Sequence, residues 1–257
     1  SKGYQYFCKI VDKPLFIPEI IKSLPVVAQM HANGMDRIAY PIRAGEAFHI
    51  FIDNTLVVLF NYIPTEQSYD YSAYSLGFLI AQIHAISPRI TITVPKEEFQ
   101  FADPVLFDIW FEENLIKQPL DPTIKTFQKV LFKYEKNIRC YYTKLFHLET
   151  LCRSQKSNFV ITHGDAPGNV LVKSKEDIYL IDWDEVILAP PERDLWMVDH
   201  LSDFMSGYQK IWPDFVINKD MRNFYILKYY FQSMVQYFSE ILSKNDQEYR
   251  LNQIRNL

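Results

Sequence analysis

One stretch of this 257-residue chain, Ile161 to Leu195, restricts the possible folds more than any other part. Two apolar runs, Val170–Val172 and Ile178–Ile181, are joined by five polar residues. Short runs of β-forming residues around a polar link are typical of a β-hairpin. Because the outer ends of the two arms of a hairpin lie side by side, polar residues just before the first arm and just after the second are predicted to meet.

The polar residues at these two ends are Asp165 and Asn169, before the first arm, and Asp182, after the second. Asp165 has the residue type that can accept a proton from an attacking hydroxyl group. Asn169 and Asp182 offer the hard oxygen atoms that Mg²⁺ prefers. A base next to two magnesium ligands is what phosphoryl transfer from a nucleotide requires, so we expect this chemistry at the hairpin.

Three further polar residues near the hairpin receive other interpretations. His163 is expected to anchor the loop before Asn169 through hydrogen bonds. Asp184 lies two residues after Asp182, so on an extended strand both side chains point the same way and both could reach a metal ion. Asp184 could equally cap the following turn. Asp194 precedes an apolar helix, and we expect it to act as an N-cap or to tether the loop.

A lysine and a glutamate near the start of the chain could assist the same reaction. Residues 4–11 read as a strand that contains Lys9, and Ile17 to Ala32 read as a helix with Glu19 in its first turn. If the two elements pack, Lys9 and Glu19 could form the ion pair that directs a lysine towards nucleotide phosphates. An exposed glutamate that merely stabilises the helix start explains Glu19 equally well.

The rest of the N-terminal part predicts a small antiparallel sheet. Residues 37–42, 46–52 and 56–63 are strand-like, and Asp53-Asn54 form a tight turn between the last two. Within the helix, Pro25 is expected to cause a break or restart. The last strand ends at Asn61 to Ile63, which we interpret as a hinge whose backbone groups could bind an adenine edge. We therefore expect an N-terminal lobe at residues 1–63 and a C-terminal lobe at 64–257.

The C-terminal lobe is predicted to be mostly helical, apart from the hairpin. Apolar residues at helical spacing predict the following helices: Tyr74–Ile86, Phe101–Leu115, Thr123–Thr150, Leu195–Tyr208, Lys219–Tyr229 and Tyr230–Leu242. In the first of them, His84 is expected to be a packed, hydrogen-bonded core residue.

Charge and cysteine content limit the partners and the compartment. The net charge is −4 without a basic cluster, which argues against nucleic-acid binding. No apolar run reaches the roughly 20 residues that cross a bilayer, so no membrane association is expected. The three cysteines, odd in number and far apart, predict reduced thiols in the cytoplasm. The state of assembly, monomer or homodimer, is left open.

The motif HGDAPGN at 163–169, with DWD at 182–184 and RDL at 193–195, closely resembles the aminoglycoside phosphotransferase family of kinase-like enzymes. The run IDWDEVILAPPERDL is most similar to the spectinomycin phosphotransferase branch. The resemblance implies an α+β, two-lobed protein-kinase-like fold. It also implies transfer of the γ-phosphate of ATP or GTP, with Mg²⁺, to a small-molecule hydroxyl group.

By position, the resemblance implies Asp165 as the base and Asn169 and Asp182 as Mg²⁺ ligands. Lys9 would bind the α- and β-phosphates with Glu19 as its partner. Family members place two strands and a phosphate-covering loop before this lysine strand. The given sequence starts at the lysine strand, so its N-terminal lobe lacks those first strands and a preceding segment is expected.

The acceptor implied by the resemblance is an aminoglycoside or an aminocyclitol such as spectinomycin, which would give antibiotic resistance. Family pockets for these cations are lined by acidic residues of the C-terminal helices, but residues 223–239 contain none. The acids available for an acceptor are Glu185, Asp199 and Asp203, with Asp184. A less cationic acceptor of the choline, homoserine or sugar type is the alternative.

Two other classes of protein share part of this pattern. Asp-x-Asp at a strand end also binds the metal of nucleotide-sugar glycosyltransferases, but that interpretation gives Asp165 and Asn169 no function. An inactive kinase-like binding module would explain the absence of a glycine-rich loop, whereas the intact Asp165, Asn169 and Asp182 argue against it.

Overall fold

The computed structural model describes residues 3–65, 70–116, 121–244 and 246–256. Seven strands and eight α-helices occur in these residues. The strands are β1 (Tyr6–Val11), β2 (Ile50–Ile52), β3 (Thr55–Asn61), β4 (Val160–Thr162), β5 (Val170–Val172), β6 (Ile178–Leu180) and β7 (Ile187–Ala189). The helices are α1 (Ile17–Ala32), α2 (Ala73–Ile86), α3 (Pro104–Ile116), α4 (Pro122–Ser154), α5 (Glu192–Leu195), α6 (Ser202–Tyr208), α7 (Lys219–Ser243) and α8 (Gln247–Asn256). This mixture of helices and small antiparallel sheets confirms the predicted α+β class.

The chain divides into two compact units. The first contains the described residues of Ser1–Glu97 and Ser157–Ile217, and the second those of Glu98–Lys156 and Asn218–Leu257. All seven strands belong to the first unit. The second unit consists of α3, α4, α7 and α8. The lobe boundary that the sequence predicts after Ile63 stays a prediction.

The N-terminal sheet of the first unit confirms the predicted antiparallel arrangement. Its strand order is β1-β3-β2, with Lys9 of β1 opposite Val58 of β3. The predicted tight turn joins β2 to β3, and Asp53 takes the positive φ of 53° that such turns require. Helix α1 packs on this sheet through Ile20 and Leu24, which together with strand residues form a small apolar core.

Of two predicted strands in this region, one is reduced to isolated bridges and the other is shorter than predicted. Residues 37–42 make only isolated bridges, Ile38 to Leu180 and Pro41 to Phe60, and of residues 46–52 only Ile50–Ile52 form a strand. Pro41 has no N–H group to donate to a ladder, which limits pairing on its side.

Helix boundaries differ from the predictions at three places. Pro25 lies inside α1 without ending it, because buried side chains on both sides of Pro25 stabilise the helix. The predicted helices at 219–229 and 230–242 are one continuous helix, α7. The predicted helix at 195–208 is instead two short helices, α5 and α6, and the apolar pattern continues between them because Val198 is buried in the connecting turns. The other predicted helices are confirmed with small shifts at their ends.

The main core of the first unit lies around α2. Its members come from α1, α2, α6 and the short strands, and include Val27, Met30, Leu79, Ile83, Ile161, Leu180, Trp183 and Phe204. The core of the second unit is aromatic, as the composition of α4 predicts, and includes Phe101, Phe107, Phe127, Tyr142, Phe231 and Phe238. None of the helices in the described ranges has the length and apolar character needed to span a bilayer.

Helices α2 and α6 cross at two glycines. A Cβ atom at Gly77 would meet the backbone carbonyl of Phe204, and one at Gly207 would meet that of Tyr74. Because both obstacles are backbone atoms, neither helix can relieve such a contact by moving a side chain. The crossing therefore requires glycine at both positions.

We predict that Gly77→Ala lowers the free energy of unfolding by roughly 1–3 kcal/mol, the usual cost of overpacking. The helix propensity of alanine alone would act in the opposite direction, by about 0.5–1 kcal/mol. Ala85→Gly, at an exposed position of the same helix, measures that propensity and serves as the control. Chemical denaturation of the three proteins tests the prediction, and a Gly77→Ala variant as stable as the wild type would contradict it.

Candidate active site

The hairpin of β5 and β6 brings Asn169 next to Asp182. The ladder pairs Val170 with Leu180, and one step further out the Ile181 N–H donates to the carbonyl oxygen of Asn169 at 3.0 Å. Asp182 follows at once and takes a positive φ of 61°. The structure thus brings together the two predicted magnesium ligands through backbone pairing.

The loop before the hairpin is tied to the same point. The Nε2 of His163 lies 2.7 Å from the Ile181 carbonyl oxygen, and the N–H of Asp165 donates to His163 Nδ1 at 3.3 Å. A carbonyl oxygen can only accept, so Nε2 carries the proton and Nδ1 is the acceptor. His163 therefore links the loop that carries Asp165 to the strand end that carries Asp182.

The Asp165 carboxylate is exposed and is held by one amide. Asn169 Nδ2 donates to the Asp165 carbonyl oxygen at 2.8 Å and to its Oδ2 at 3.3 Å. A Cβ atom at Gly168 would come within 3.2 Å of Asp165 Oδ1. The absence of a side chain at Gly168 thus leaves space beside the carboxylate oxygen atoms, where a substrate hydroxyl could approach.

A buried carboxylate fixes the start of this loop from behind. Asp194 is only 1% exposed, and it accepts hydrogen bonds from the N–H groups of His163, at 3.0 Å, and Gly164, at 2.6 Å. Nε2 of His84 lies 3.0 Å from the same carboxylate. Burial alone would raise the pKa of Asp194, but the hydrogen bond and charge of His84, with the charge of Arg193, hold the pKa below its ordinary value.

Two further residues, Tyr208 and Arg193, contact His84 and Gly164 and help to hold the loop in place. The hydroxyl group of Tyr208 lies 2.8 Å from His84 Nδ1, and burial raises the pKa of Tyr208, so this hydroxyl keeps its proton. Gly164 has a φ of 97°, and a Cβ atom there would collide with the guanidinium group of Arg193. Arg193 in turn binds Thr162 and the Glu185 carbonyl oxygen.

Lys9 lies at the acidic side of the site, between two aspartates. Its Nζ is 2.6 Å from Asp182 Oδ1 and 2.5 Å from Asp184 Oδ2. Burial lowers the pKa of Lys9, but its hydrogen bonds to Asp182 and Asp184 and their negative charges outweigh burial and raise the pKa. Burial raises the pKa of Asp184, an effect that Lys9 opposes and the charge of Asp182 reinforces.

The Lys9–Glu19 ion pair that the family resemblance implies is not formed, so this prediction is wrong. Glu19 binds Lys22 instead, at 2.7 Å, one helical turn along α1. Both partners are exposed, as is common for ion pairs between neighbouring turns. The spacing of residues along α1 makes this local pair available without any tertiary contact, whereas Lys9 has two aspartates within reach.

A cleft of about 290 Å³ collects most of the predicted site residues. Its lining is Leu15, Phe16, Glu19, His163, Asp165, Asn169, Asp182, Asp184 and Glu185. Leu15 and Phe16 are the members that the sequence did not indicate, since exposed apolar residues before a helix carry no specific signal. Six predicted residues lie outside this lining, namely Lys9 and Asp194, whose contacts are given above, and Asn61, Ile63, Asp199 and Asp203. The Asn61 side chain accepts from the Tyr40 N–H at 2.7 Å, and Ile63 is buried.

The oxygen donors of the cleft fit a magnesium ion. The amide nitrogen of Asn169 is engaged by Asp165, so Oδ1 is the atom of that side chain left for a metal. Lys9 bonds Oδ1 of Asp182, and the second carboxylate oxygen remains. Within the described ranges, no group of three or more Asp, Glu, His or Cys side chains is arranged to hold a metal ion. Mg²⁺ in kinase-like sites needs only one or two protein groups and takes further ligands from phosphates and water, so this donor set is sufficient.

The fold and the cleft define a kinase-like phosphotransferase, and comparisons with known proteins agree. Residues 55–214 match the model of the phosphotransferase enzyme family, known as APH. This match covers more than half of the chain, and the protein therefore belongs to that family. The predicted family resemblance and enzyme class are confirmed.

Solved structures support the same fold. A crystal structure of spectinomycin phosphotransferase, APH(9)-Ia, with ADP and spectinomycin has a TM-score of 0.78 at 20% identity, covering 99% of this chain and 82% of that one. A microcompartment-associated aminopropanol kinase has a TM-score of 0.67 at 13% identity, with coverages of 99% and 83%. The choline kinase LicA from Streptococcus pneumoniae has a TM-score of 0.51 at 15% identity, with coverages of 100% and 85%. A search of curated protein sequences gave no match.

We predict that Asp194→Asn reduces the free energy of unfolding by roughly 1–3 kcal/mol at pH 7, because a buried charge-assisted network loses its negative charge and one of two acceptor oxygens. A carboxyl group with a lowered pKa in the folded state stabilises the protein above its unfolded pKa of about 3.9 and loses this contribution as the pH falls through the lower folded value. The deficit of the variant should therefore shrink below about pH 4.

Urea denaturation of wild type and variant between pH 7 and pH 3 measures this difference. Asp203→Asn, which removes an exposed aspartate from the first turn of α6, is the control and should show a small effect. A deficit of Asp194→Asn that stays constant over the whole pH range would show that folding does not lower the pKa of Asp194.

Proposed function

We propose that this protein is an ATP-dependent kinase that phosphorylates a hydroxyl group of a small, amine-bearing molecule. The observation that supports the proposal best is the convergence of Asp165, Asn169 and Asp182 in one cleft, with Lys9 bonded to its acidic side. Those residues supply a base, hard oxygen ligands and a cation, which are the parts that phosphoryl transfer needs.

Each residue has a distinct part in the proposed reaction. Asp165 accepts the proton of the acceptor hydroxyl group as its oxygen forms a bond to the γ-phosphorus and the bond to the β-phosphate oxygen breaks. Asn169 holds the carboxylate of Asp165 through its amide nitrogen. Lys9 offers positive charge to the α- and β-phosphates. Mg²⁺, held by Asp182 and by Oδ1 of Asn169, would neutralise charge on the triphosphate.

ATP is the donor we favour, because the comparison structure of spectinomycin phosphotransferase contains ADP. The backbone of the hinge, from Asn61 to Ile63, is our proposal for the adenine site. GTP is the alternative donor that competition binding distinguishes. The free thiols of Cys8 and Cys140, both exposed, are compatible with the reducing cytoplasm, where we propose that the enzyme acts.

For the acceptor we propose an amine-bearing alcohol. Spectinomycin, aminopropanol and choline, named for the three similar structures, each combine a cationic nitrogen with a hydroxyl group. Acidic side chains that could attract such a cation are Glu185 in the cleft and Asp199 and Asp203 outside its lining, whereas Asp184 is paired with Lys9. An aminocyclitol acceptor would make the protein an antibiotic-resistance enzyme. The alternative to an aminocyclitol is a smaller metabolite: a choline-type amino alcohol, homoserine or a sugar.

A phosphorylation screen tests this proposal. The protein is incubated with γ-labelled ATP, Mg²⁺ and single acceptors from four groups: aminocyclitols, aminoglycosides, amino alcohols and neutral sugars. We expect transfer to at least one amine-bearing alcohol. Transfer to neutral sugars alone would overturn the acceptor class. Failure of ADP and ATP to bind at all would instead support an inactive binding module.

We predict that Asp165→Asn lowers kcat for the best acceptor at least about a hundredfold, the usual contribution of a general base. The Kd for ADP with Mg²⁺ should stay close to that of the wild type, because the substitution removes the base and keeps the metal ligands. Isothermal titration calorimetry measures the affinity on the same samples. An equal loss of ADP binding would contradict the role of Asp165.

We predict the opposite pattern for Asp182→Ala. With Mg²⁺ present, the affinity for ADP should fall at least about tenfold, since even the loss of a residue that only supports a metal ligand costs about this much. Without Mg²⁺ the loss should be smaller, so the gain in affinity that Mg²⁺ produces in the wild type largely disappears. An undiminished gain in the variant would exclude Asp182 as a magnesium ligand.

A further inference from the structure

The partner of Lys9 is the feature of this site that departs from its expected form. The family resemblance assigns that part to Glu19 on α1, yet the glutamate binds Lys22. Lys9 instead contacts Asp184 at 2.5 Å as well as Asp182 at 2.6 Å. One lysine therefore bridges two carboxylates that are two residues apart in the chain.

Local packing explains why both aspartates reach Lys9. The side chain of Trp183 between them is buried in the core, where its indole N–H donates to the Leu180 carbonyl oxygen at 3.3 Å. Its ring also lies against His163, with centroids 4.6 Å apart. With Trp183 directed into the core, Asp182 and Asp184 emerge together on the side that faces Lys9.

The degree of burial favours Asp184 over the other candidates. The Lys9 side chain is 22% exposed and that of Asp184 31%, compared with 48% for Asp182 and 59% for Glu19. Charges that water surrounds less attract each other more strongly at equal distance. The Lys9–Asp184 contact is therefore the better shielded of the two contacts that Lys9 makes.

In the proposed reaction Asp182 also binds Mg²⁺, whereas Asp184 has no such role. A carboxylate that binds Mg²⁺ gives up part of its charge to the metal and holds a lysine less firmly. We propose that Asp184 is the positioning residue for Lys9: it keeps the ammonium group directed at the nucleotide phosphates while Asp182 serves the metal. This inference rests on the proposed function, and it assigns to Asp184 the part that the family resemblance gives to Glu19.

Double-mutant cycles on ADP binding test this inference. The variants are Lys9→Met, Asp184→Asn and Glu19→Gln, with the double variants Lys9→Met/Asp184→Asn and Lys9→Met/Glu19→Gln. Calorimetry with ADP and saturating Mg²⁺ reports on Lys9 while Asp182 is engaged by the metal, and the same titrations in EDTA serve as the comparison. We expect Asp184→Asn to weaken binding about tenfold, and to weaken it no further once Lys9 is methionine, because contacting residues are not additive. Glu19→Gln should be additive with Lys9→Met.

Two more readouts separate positioning from a general loss of structure. Asp184→Glu keeps the charge and should restore ADP affinity in part, whereas Asp184→Asn should not. In the kinase reaction Asp184→Asn should raise KM for ATP in proportion to its loss of ADP affinity. Thermal unfolding of each variant without ligand checks that the comparison is made on folded protein.

The outcomes distinguish the inference from the proposed function. If the wild type binds no ADP, the proposed function fails. If the wild type binds ADP but Asp184→Asn is additive with Lys9→Met, or Glu19→Gln is the non-additive partner, the inference is overturned and the kinase assignment stands. If Asp184→Asn still weakens Mg²⁺–ADP binding in the Lys9→Met background but has no effect in EDTA, Asp184 is a metal ligand and the inference is equally wrong.

Discussion

The backbone of a single residue, Ile181, fixes the geometry on which the site depends. Its N–H donates to the carbonyl oxygen of Asn169, and its carbonyl oxygen accepts from Nε2 of His163. These two bonds join both ends of the loop that carries Asp165 to the strand end that carries Asp182. Because backbone groups in a packed hairpin have little freedom, the proposed base and the proposed metal ligands are held near one another, which catalysis by positioning requires.

Electrostatics sets the second constraint. Asp165, Asp182, Asp184 and Glu185 line one small cleft, and such a concentration of negative charge destabilises the folded chain unless cations offset it. Lys9 supplies one cation at the Asp182–Asp184 side. Arg193 supplies another beside Glu185, and in the proposed function a magnesium ion and a cationic acceptor would add further positive charge. In the proposed function, the acidity of the cleft would favour positive ligands and the same carboxylates would supply the catalytic groups.

The sequence predicted those features that depend on local pattern. The hairpin follows from two β-forming runs around a polar link, and the convergence of Asp165, Asn169 and Asp182 follows from the hairpin. Packed His84 likewise follows from its place on an apolar helix face, and its ring is fully buried beside Asp194. Helix ends were less predictable, since α7 continues through 229–230 and Pro25 lies inside α1. At both places the burial of neighbouring side chains stabilises the helix more than the local sequence disfavours it.

The choice of partner for Lys9 could not be read from sequence, and the reason is physical. An ion pair between residues more than 170 positions apart depends on how a strand, a helix and a hairpin pack, and two acids were available. The family pattern favoured Glu19, but on α1 that glutamate has Lys22 one turn away. Glu19 is therefore already paired locally, and the buried Trp183 turns Asp184 towards Lys9. Both features favour Asp184 as the partner of Lys9. Two short-range features thus decide a long-range contact, and each is visible only after the fold has placed the three charges together.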